Sequence, residues 1–331
     1  MKFILFRFDR IGDYLLSSIL INNLKKQINN CHFTVVCSEK NYEYVKHSFL
    51  VNEALIIPNN FLKRIKFYLK MIGSKYDNSI VLDGKKKSII SSILVNSKNN
   101  ILITNNKLFT RLLCIFFNKI FYSSATQNKI DELISVSNYL NFNFDIFSAK
   151  YENKYNIINQ NIIELINDVK NFNLFHFDEK WIFNSYIKSY INIEPNTNNL
   201  VHFFKLLSKK TNNNLIVSTG MIDNNLTSFL KSKFIKIDTN IYKYELDNKS
   251  IFLIEKINIF NLEYIISKSS TVITCHGAPS HLTNMYNKNL IDIIDESEEQ
   301  IFRNYSHHFT NTNTLIRINF DTLSNNIINL F

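Results

Sequence analysis

Glycine and proline are scarce in this chain, five and three among 331 residues, and the shortage of glycine excludes one function at once. No Gly-x-Gly-x-x-Gly follows the first apolar segment, Phe3–Phe6. Without that backbone cradle for a pyrophosphate, a nicotinamide-dependent dehydrogenase is a poor reading. Cysteine is sparse too. Cys31, Cys37, Cys114 and Cys275 form no Cys-x-x-Cys pair, so reduced thiols, most of them small core residues in a cytosolic protein, are expected rather than a disulfide framework or a structural zinc site. No apolar run approaches the roughly 20 residues that a membrane-spanning helix needs. The apolar part of Met1–Arg7 is too short for a signal peptide and no small-residue cleavage site follows it. The expectation is a soluble or membrane-peripheral chain whose first segment is a strand.

What the chain does contain is apolar residues, 45%, with 14% aromatic, enough to exclude disorder and to fill a sizeable core. Its length exceeds that at which one core usually stops growing, so two domains are expected. The net charge of +10 favours an anionic partner, but the richness in Asn, Lys, Ile, Phe and Tyr is the bias that an AT-rich genome imposes on any protein. No nucleic-acid recognition motif accompanies the charge, and a nucleic-acid partner is not expected.

Short β-branched or aromatic runs alternate with helical patterns through the first half, as in βαβ units with a parallel sheet. Strands are expected at Phe3–Phe6, Phe33–Val36, Ala54–Ile57, Ser79–Leu82, Ile101–Thr104 and Ile120–Tyr122. Between them, Tyr14–Ile28 carries Leu16, Leu20, Leu24 and Ile28 on one face. Phe61–Met71 is a basic helix with Lys63, Arg64, Lys66 and Lys70, and Leu108–Phe117 is a very apolar one with Arg111. Each is a candidate for membrane contact, with a solvated outer face and a buried helix as the respective alternatives. Asn-rich sequence around 141–161 marks a domain boundary. A second series follows, with strands at Asn173–Phe177, Leu215–Ser218, Phe234–Ile237, Ile251–Ile254, Thr271–Thr274 and Leu290–Ile294. Its helices are near Leu200–Ser208, Asn225–Lys231, Asn261–Lys268 and Ser280–Tyr286. The expected division is 1–160, 161–310 and a closing stretch 311–331 whose helix, Asp321–Leu330, folds back on the first domain.

The richest segment is Arg7-Phe8-Asp9-Arg10-Ile11-Gly12-Asp13. It puts a carboxylate at a strand-to-helix turn, and in an open α/β sheet ligands bind at that carboxyl edge. Asp13 ahead of a helix also makes a good N-cap, worth about 1 kcal/mol. A cap alone requires neither Gly12, which lets backbone approach a ligand closely, nor the cations Arg7 and Arg10.

A second constellation, Ile266 to Leu282, reads as helix, strand, tight small-residue turn and helix, with Cys275-His276-Gly277-Ala278-Pro279-Ser280-His281 at the turn. Pro279 suits a first helical position. Amides at a helix start, with the positive dipole end, make an anion site, to which His276 and His281 add donors, and a diphosphate is the natural occupant. Cys275, His276, His281, His307 and His308 are potential metal ligands, yet a Cys-His followed five residues later by His matches no standard structural spacing, and no metal is expected. Lys180, in Phe177-Asp178-Glu179-Lys180-Trp181, follows a strand and can reach a phosphate. Gly220, in Ser218-Thr219-Gly220, follows another and can lie near a ribose or base.

These residues resemble glycosyltransferase family 9, the heptosyltransferase-like group. Arg7 through Leu15 match its Arg-x-Asp-x-Ile-Gly-Asp-x-Leu opening turn. His276-Gly277-Ala278-Pro279-Ser280-His281-Leu282 is similar to its Asp-Thr/Ser-Gly-x-x-His-Leu diphosphate turn, with His276 in place of the acid and Ala278 in place of the motif glycine. The resemblance implies two Rossmann-like domains in a GT-B arrangement, with parallel sheets facing across a cleft. The first domain would hold the acceptor, through Arg10 and Gly12, and the second the nucleotide-sugar donor, through Lys180, Gly220, His276, Gly277, Ala278 and His281. Asp13 matches the general base, Lys180 ahead of Trp181 looks like the phosphate-binding lysine, and His281 matches the diphosphate-loop histidine. Inverting, metal-independent and cofactor-independent transfer to a lipopolysaccharide or other surface glycan follows, by a cytoplasmic protein in peripheral contact with the inner membrane. The altered His276 turn supports the alternative of a catalytically silent relative that binds a nucleotide or glycan.

Overall fold

The structure is a computed structural model and describes residues 1–58, 60–124, 126–146, 157–246 and 249–331. The chain forms two compact units, Met1–Lys154 with Arg303–His308, and Tyr155–Phe302 with Phe309–Phe331. The expected boundary region 141–161 includes 147–156, which lie outside the described residues.

In the first unit the order is β1 (Lys2–Arg7), α1 (Ile11–Gln27), β2 (His32–Cys37), α2 (Tyr42–His47), β3 (Glu53–Ile56), α3 (Phe61–Gly73) and β4 (Lys75–Val81). It continues with α4 (Lys86–Leu94), β5 (Asn96–Thr104), α5 (Lys107–Leu113), β6 (Lys119–Tyr122) and α6 (Lys129–Tyr139). Among the described residues the six strands form one parallel sheet in the order β3-β2-β1-β4-β5-β6. Its central strands are continuous apolar runs because helices cover both faces. Ile4, Phe6, Val36, Val81 and Leu102 pack on one face against Met71, Ile89 and Leu113, so α3, α4 and α5 line that side together. Right-handed crossovers require the same arrangement, since the chain reverses direction across the sheet after β3.

Helix α1 is buried nearly all round from Tyr14 to Leu24, not along one stripe, because α6 packs on it as well. It begins at Ile11, three residues earlier than the sequence suggested, so Asp13 lies in the first turn and not ahead of it. Asp13 still caps, reaching back so that Oδ2 accepts from the Arg10 backbone N–H at 3.1 Å.

The second unit runs α7 (Gln160–Val169), β7 (Phe172–Phe177), α8 (Thr197–Thr211), β8 (Asn214–Thr219), α9 (Asn225–Lys233), β9 (Ile235–Asp238), β10 (Ile241–Leu246) and β11 (Lys249–Ile254). After these come α10 (Ile259–Lys268), β12 (Thr271–Cys275), α11 (Ala278–Met285), β13 (Asn289–Ile294), α12 (Glu299–Ser306), β14 (Thr312–Ile316) and α13 (Phe320–Asn329). The described strands form one sheet, β14-β13-β12-β7-β8-β11-β10-β9. It is parallel from β14 to β11, but β10 runs antiparallel to both β11 and β9, so this sheet is mixed at one edge. Trp181 is fully buried among Phe175, Phe177, Phe203 and Phe204. The closing helix α13 packs on α8 within this unit, Phe320 edge-on to Phe203; the late segment grouped with the first unit is instead Arg303–His308.

Candidate functional site

Both sheets place their polar turns where the strand order reverses. In the first unit β2 and β3 extend to one side of β1, and β4 to β6 to the other, so the reversal falls between β1 and β4, where ligands bind in open α/β sheets. A cavity of about 320 Å³ lies there, lined by Arg7, Asp9 and Asp13 after β1, Asp83 and Gly84 after β4, Ser123, Lys129, Glu132 and Tyr305.

Arg7 organises this cavity. Its buried guanidinium donates to the Leu82 carbonyl at 2.6 Å and to Asp13 Oδ1 at 3.3 Å, and lies 3.6 Å from Asp9. Burial works to lower its pKa, but Asp13 and Asp9 outweigh this and hold it above its ordinary value. Asp13 thus has one oxygen on Arg7 and the other on a backbone amide, with its side chain still 21% exposed. Lys85 pairs with Asp9. Asp83 accepts from the Phe8 and Lys85 amides and the Ser88 hydroxyl, yet burial raises its pKa despite those donors. Tyr305 is pushed up to about 12, by burial first and by the Asp13 charge next, so it stays a neutral phenol. Across the cavity Lys129 bridges Ser123 and Glu132 at 2.7 and 2.6 Å. Gly84 has φ +58°, and a Cβ there would meet the Ile103 carbonyl at 3.1 Å, a close approach that only glycine makes without strain.

In the second unit the reversal falls between β7 and β12. Asp178 after β7 caps the single turn Glu179–Trp181 and pairs with Lys180 Nζ at 3.3 Å. Burial acts to lower the Lys180 pKa, but Asp178 overrides it and the net shift is upward; the amine is a fixed cation. It is aimed at the next turn, for a Cβ built on Gly277 would lie 2.5 Å from Nζ. A Cβ built on Gly220, after β8, would likewise run into the Glu179 carboxylate. Arg317 supports this arrangement from below by donating to the Lys180 carbonyl at 2.9 Å.

At the β12–α11 turn His276 Nδ1 lies 2.6 Å from Asp292 Oδ2, and the Ser280 hydroxyl donates to Asp292 Oδ1 at 2.7 Å. Ser280 also accepts from the Gly277 N–H at 3.2 Å. A carboxylate buried on β13 therefore ties the turn to the first turn of α11. Ala278 opens that helix, and Pro279 sits in its second position, one later than the sequence suggested. His281 is buried, stacked edge-on against Phe309 and 5.6 Å from the His276 ring, so it buttresses His276.

No family model matches the chain, and no curated protein does. Solved structures do. A glycosyltransferase family 9 protein from Veillonella parvula superposes with a TM-score of 0.68 at 13% identity, over 96% of this chain and 86% of that one. The E. coli heptosyltransferase WaaC with ADP gives 0.66 at 12%, over 99% of each chain. The UDP-GlcNAc 2-epimerase of Methanocaldococcus jannaschii gives 0.54 at 13%, over 100% and 92%. The chain has the GT-B fold.

Within that fold, Lys180, His276, Gly277 and Ala278 gather at one reversal point, with Gly220 at the neighbouring strand end. Asp13 occupies the other, with Arg10 and Gly12 in or beside the first turn of α1. The Arg7 guanidinium meets one Asp13 oxygen and the Arg10 backbone amide the other. Sequence reasoning missed Asp83, Lys129, Glu132, Tyr305, Asp292 and Arg317. Only the Asp83-Gly84 pair carried a signal, a turn dipeptide closing an apolar strand. Of the four cysteines, which are all free, Cys37 and Cys275 are buried and Cys114 is exposed. Burial raises Cys37 and Cys275 to about 12, which makes both poor nucleophiles.

Proposed function

We propose that this chain is a glycosyltransferase resembling family 9, transferring a sugar with inversion and without a metal ion. The donor would be a nucleotide-diphosphate sugar held by the second unit, and the acceptor a lipopolysaccharide or other surface glycan met by the first, at the cytoplasmic face of the inner membrane. The observation that carries this reading is the convergence of the Lys180 amine, Gly277 and the start of α11 at one reversal point. A fixed cation, backbone amides and a helix dipole there match the charge that grows on a departing diphosphate.

Asp13 is the base in this reading. Its carboxylate is oriented by Arg7 and the Arg10 amide and remains open to the cavity. It takes the proton of the acceptor hydroxyl as that oxygen attacks the anomeric carbon and the bond to the diphosphate breaks. Such a base contributes roughly 10²–10⁴-fold.

Calorimetric titration with nucleoside diphosphates tests the donor half. One-site binding is expected, weakened at least about tenfold in Lys180→Met, which removes a charge-assisted bond; equal affinity in the variant, or none in either protein, would contradict it. The His276 substitution in the diphosphate turn favours a second reading, a silent binder, which requires binding with neither donor hydrolysis nor transfer to any acceptor.

A further inference from the structure

We propose that the α3–α4–α5 face of the first unit docks on an anionic lipid bilayer. The inference stands whether or not the chain transfers sugar.

The starting point is α3. Arg64, Phe67, Tyr68 and Met71, at the 3-4-7 spacing of one helical face, turn toward the sheet. The opposite side of a surface helix is ordinarily polar. Here Phe61, Leu62, Ile65, Leu69 and Ile72 occupy the outward sector that adjoins the core face, with Phe61 71%, Leu62 68% and Leu69 63% exposed. At about 100° per residue these five span roughly 100° of the helix circumference, and Lys63, Lys66 and Lys70 fill the arc beside them. One helix therefore presents two apolar stripes, one used in the core and one facing outward, with a row of cations between.

The neighbouring helices on that side of the sheet continue the pattern. Ile90 of α4 is exposed, and beyond α5 the short turn Cys114–Phe116 exposes Ile115 at 83%, beside Leu112 of α5 at 78%. The sequences of α3, α4 and α5 hold Lys63, Arg64, Lys66, Lys70, Lys86, Lys87, Lys107 and Arg111 and neither Asp nor Glu. Glu53 of β3 reaches one of them, Lys70, at 3.7 Å. Burial and then the Arg64 guanidinium press the Lys87 pKa down, which records cations of α3 and α4 as neighbours.

Exposed apolar side chains interleaved with a large excess of cations suit one partner, a surface that is negative outside and hydrocarbon beneath. A second copy of this chain would bring the exposed lysines of α3 and α4 face to face with their own kind. A glycolipid acceptor lies in such a surface, which would explain why the unit expected to meet the acceptor carries the patch. Each cation near an anionic leaflet adds about a fivefold factor in partition.

The test is vesicle flotation of the full chain with phosphatidylcholine alone and with phosphatidylcholine mixed with phosphatidylglycerol. Strong partition on the mixed vesicles and little on the neutral ones is expected. Lys63→Glu with Lys66→Glu should lower it at least tenfold, and Leu62→Ser with Leu69→Ser should lower it comparably on the mixed vesicles. All four residues are exposed, so unchanged melting curves would certify the fold. Equal partition on both vesicle types, or variants that float like the parent, would overturn the proposal. So would self-association that the same substitutions abolish while no lipid binding is seen.

Discussion

Asp13 and Lys180 are held in opposite ways, and the difference bears on what each is suited to do. Asp13 is pinned by a guanidinium and an amide but stays open to solvent, a geometry that orients a carboxylate without removing it from a substrate. Lys180 is half-buried against Asp178, a permanent charge paired with a carboxylate. The same turn imposes a pH dependence through His176, whose Nδ1 bonds the Ser218 hydroxyl at 2.9 Å. Burial, reinforced by Lys180 and opposed by Asp178, pushes His176 down to about 4 from 6.5. The unfolded chain takes up this proton near pH 6.5 and the folded chain only near pH 4. Stability therefore rises with pH across that window and is lost as pH falls through it, by up to about 3 kcal/mol. His308, also pushed to about 4 by burial first, acts in the same direction. Thermal melting of His176→Asn between pH 6.5 and 4 should show a shallower loss that retains the His308 share; an unchanged slope would remove His176 from the account. At this scale the sequence showed the groups that follow strands directly, Asp13, Lys180 and His276. It hid Asp292 and Tyr305, because a strand residue or a distant helix residue becomes a neighbour only through sheet order.

Among the elements, the β12–α11 turn is the most tightly specified. Gly277 leaves room for the Lys180 amine, and an added Cβ would lie 2.5 Å from it. That atom is the end of a flexible chain, so Gly277→Ala should fold with a near-parental melting temperature while the amine moves aside. Calorimetry should then show weaker nucleoside diphosphate binding, by about tenfold if one charge-assisted bond is lost; parental affinity would mean that Lys180 does not meet the ligand. Interior strands were legible in sequence because burial on both faces makes them continuous apolar runs, as in Phe3–Phe6 and Leu290–Ile294. Strands β10 and β14 were not: Ile241-Tyr242-Lys243-Tyr244-Glu245-Leu246 mixes charge with aromatics one strand in from a sheet edge, and Thr312–Ile316, at the other edge, is largely polar. Helix α4 escaped for another reason. Its core-facing positions include Ser88, Ser91 and Ser92, so its buried face is not apolar and leaves no periodic signal.

Over the whole molecule, two α/β units each end their strands in a charged reversal point, one holding the Asp13 carboxylate on Arg7 and one the Lys180 amine on Asp178. Such a division suits a reaction in which one group accepts a proton and another receives a leaving diphosphate. The chain's excess of ten cations over anions is unevenly spread, eight basic residues and no acid falling on α3, α4 and α5. Composition alone ascribed the excess to codon bias; only the placement of helices on one side of the sheet gave it a direction. The turnover of nucleotide sugars by the parent chain and by Asp13→Asn, followed by mass spectrometry with a truncated lipopolysaccharide acceptor, bears most directly on sugar transfer. A proton-accepting Asp13 predicts product from the parent, a loss of roughly 10²–10⁴-fold in the variant, and unchanged nucleoside diphosphate affinity in both. Equal turnover in the two proteins would contradict it.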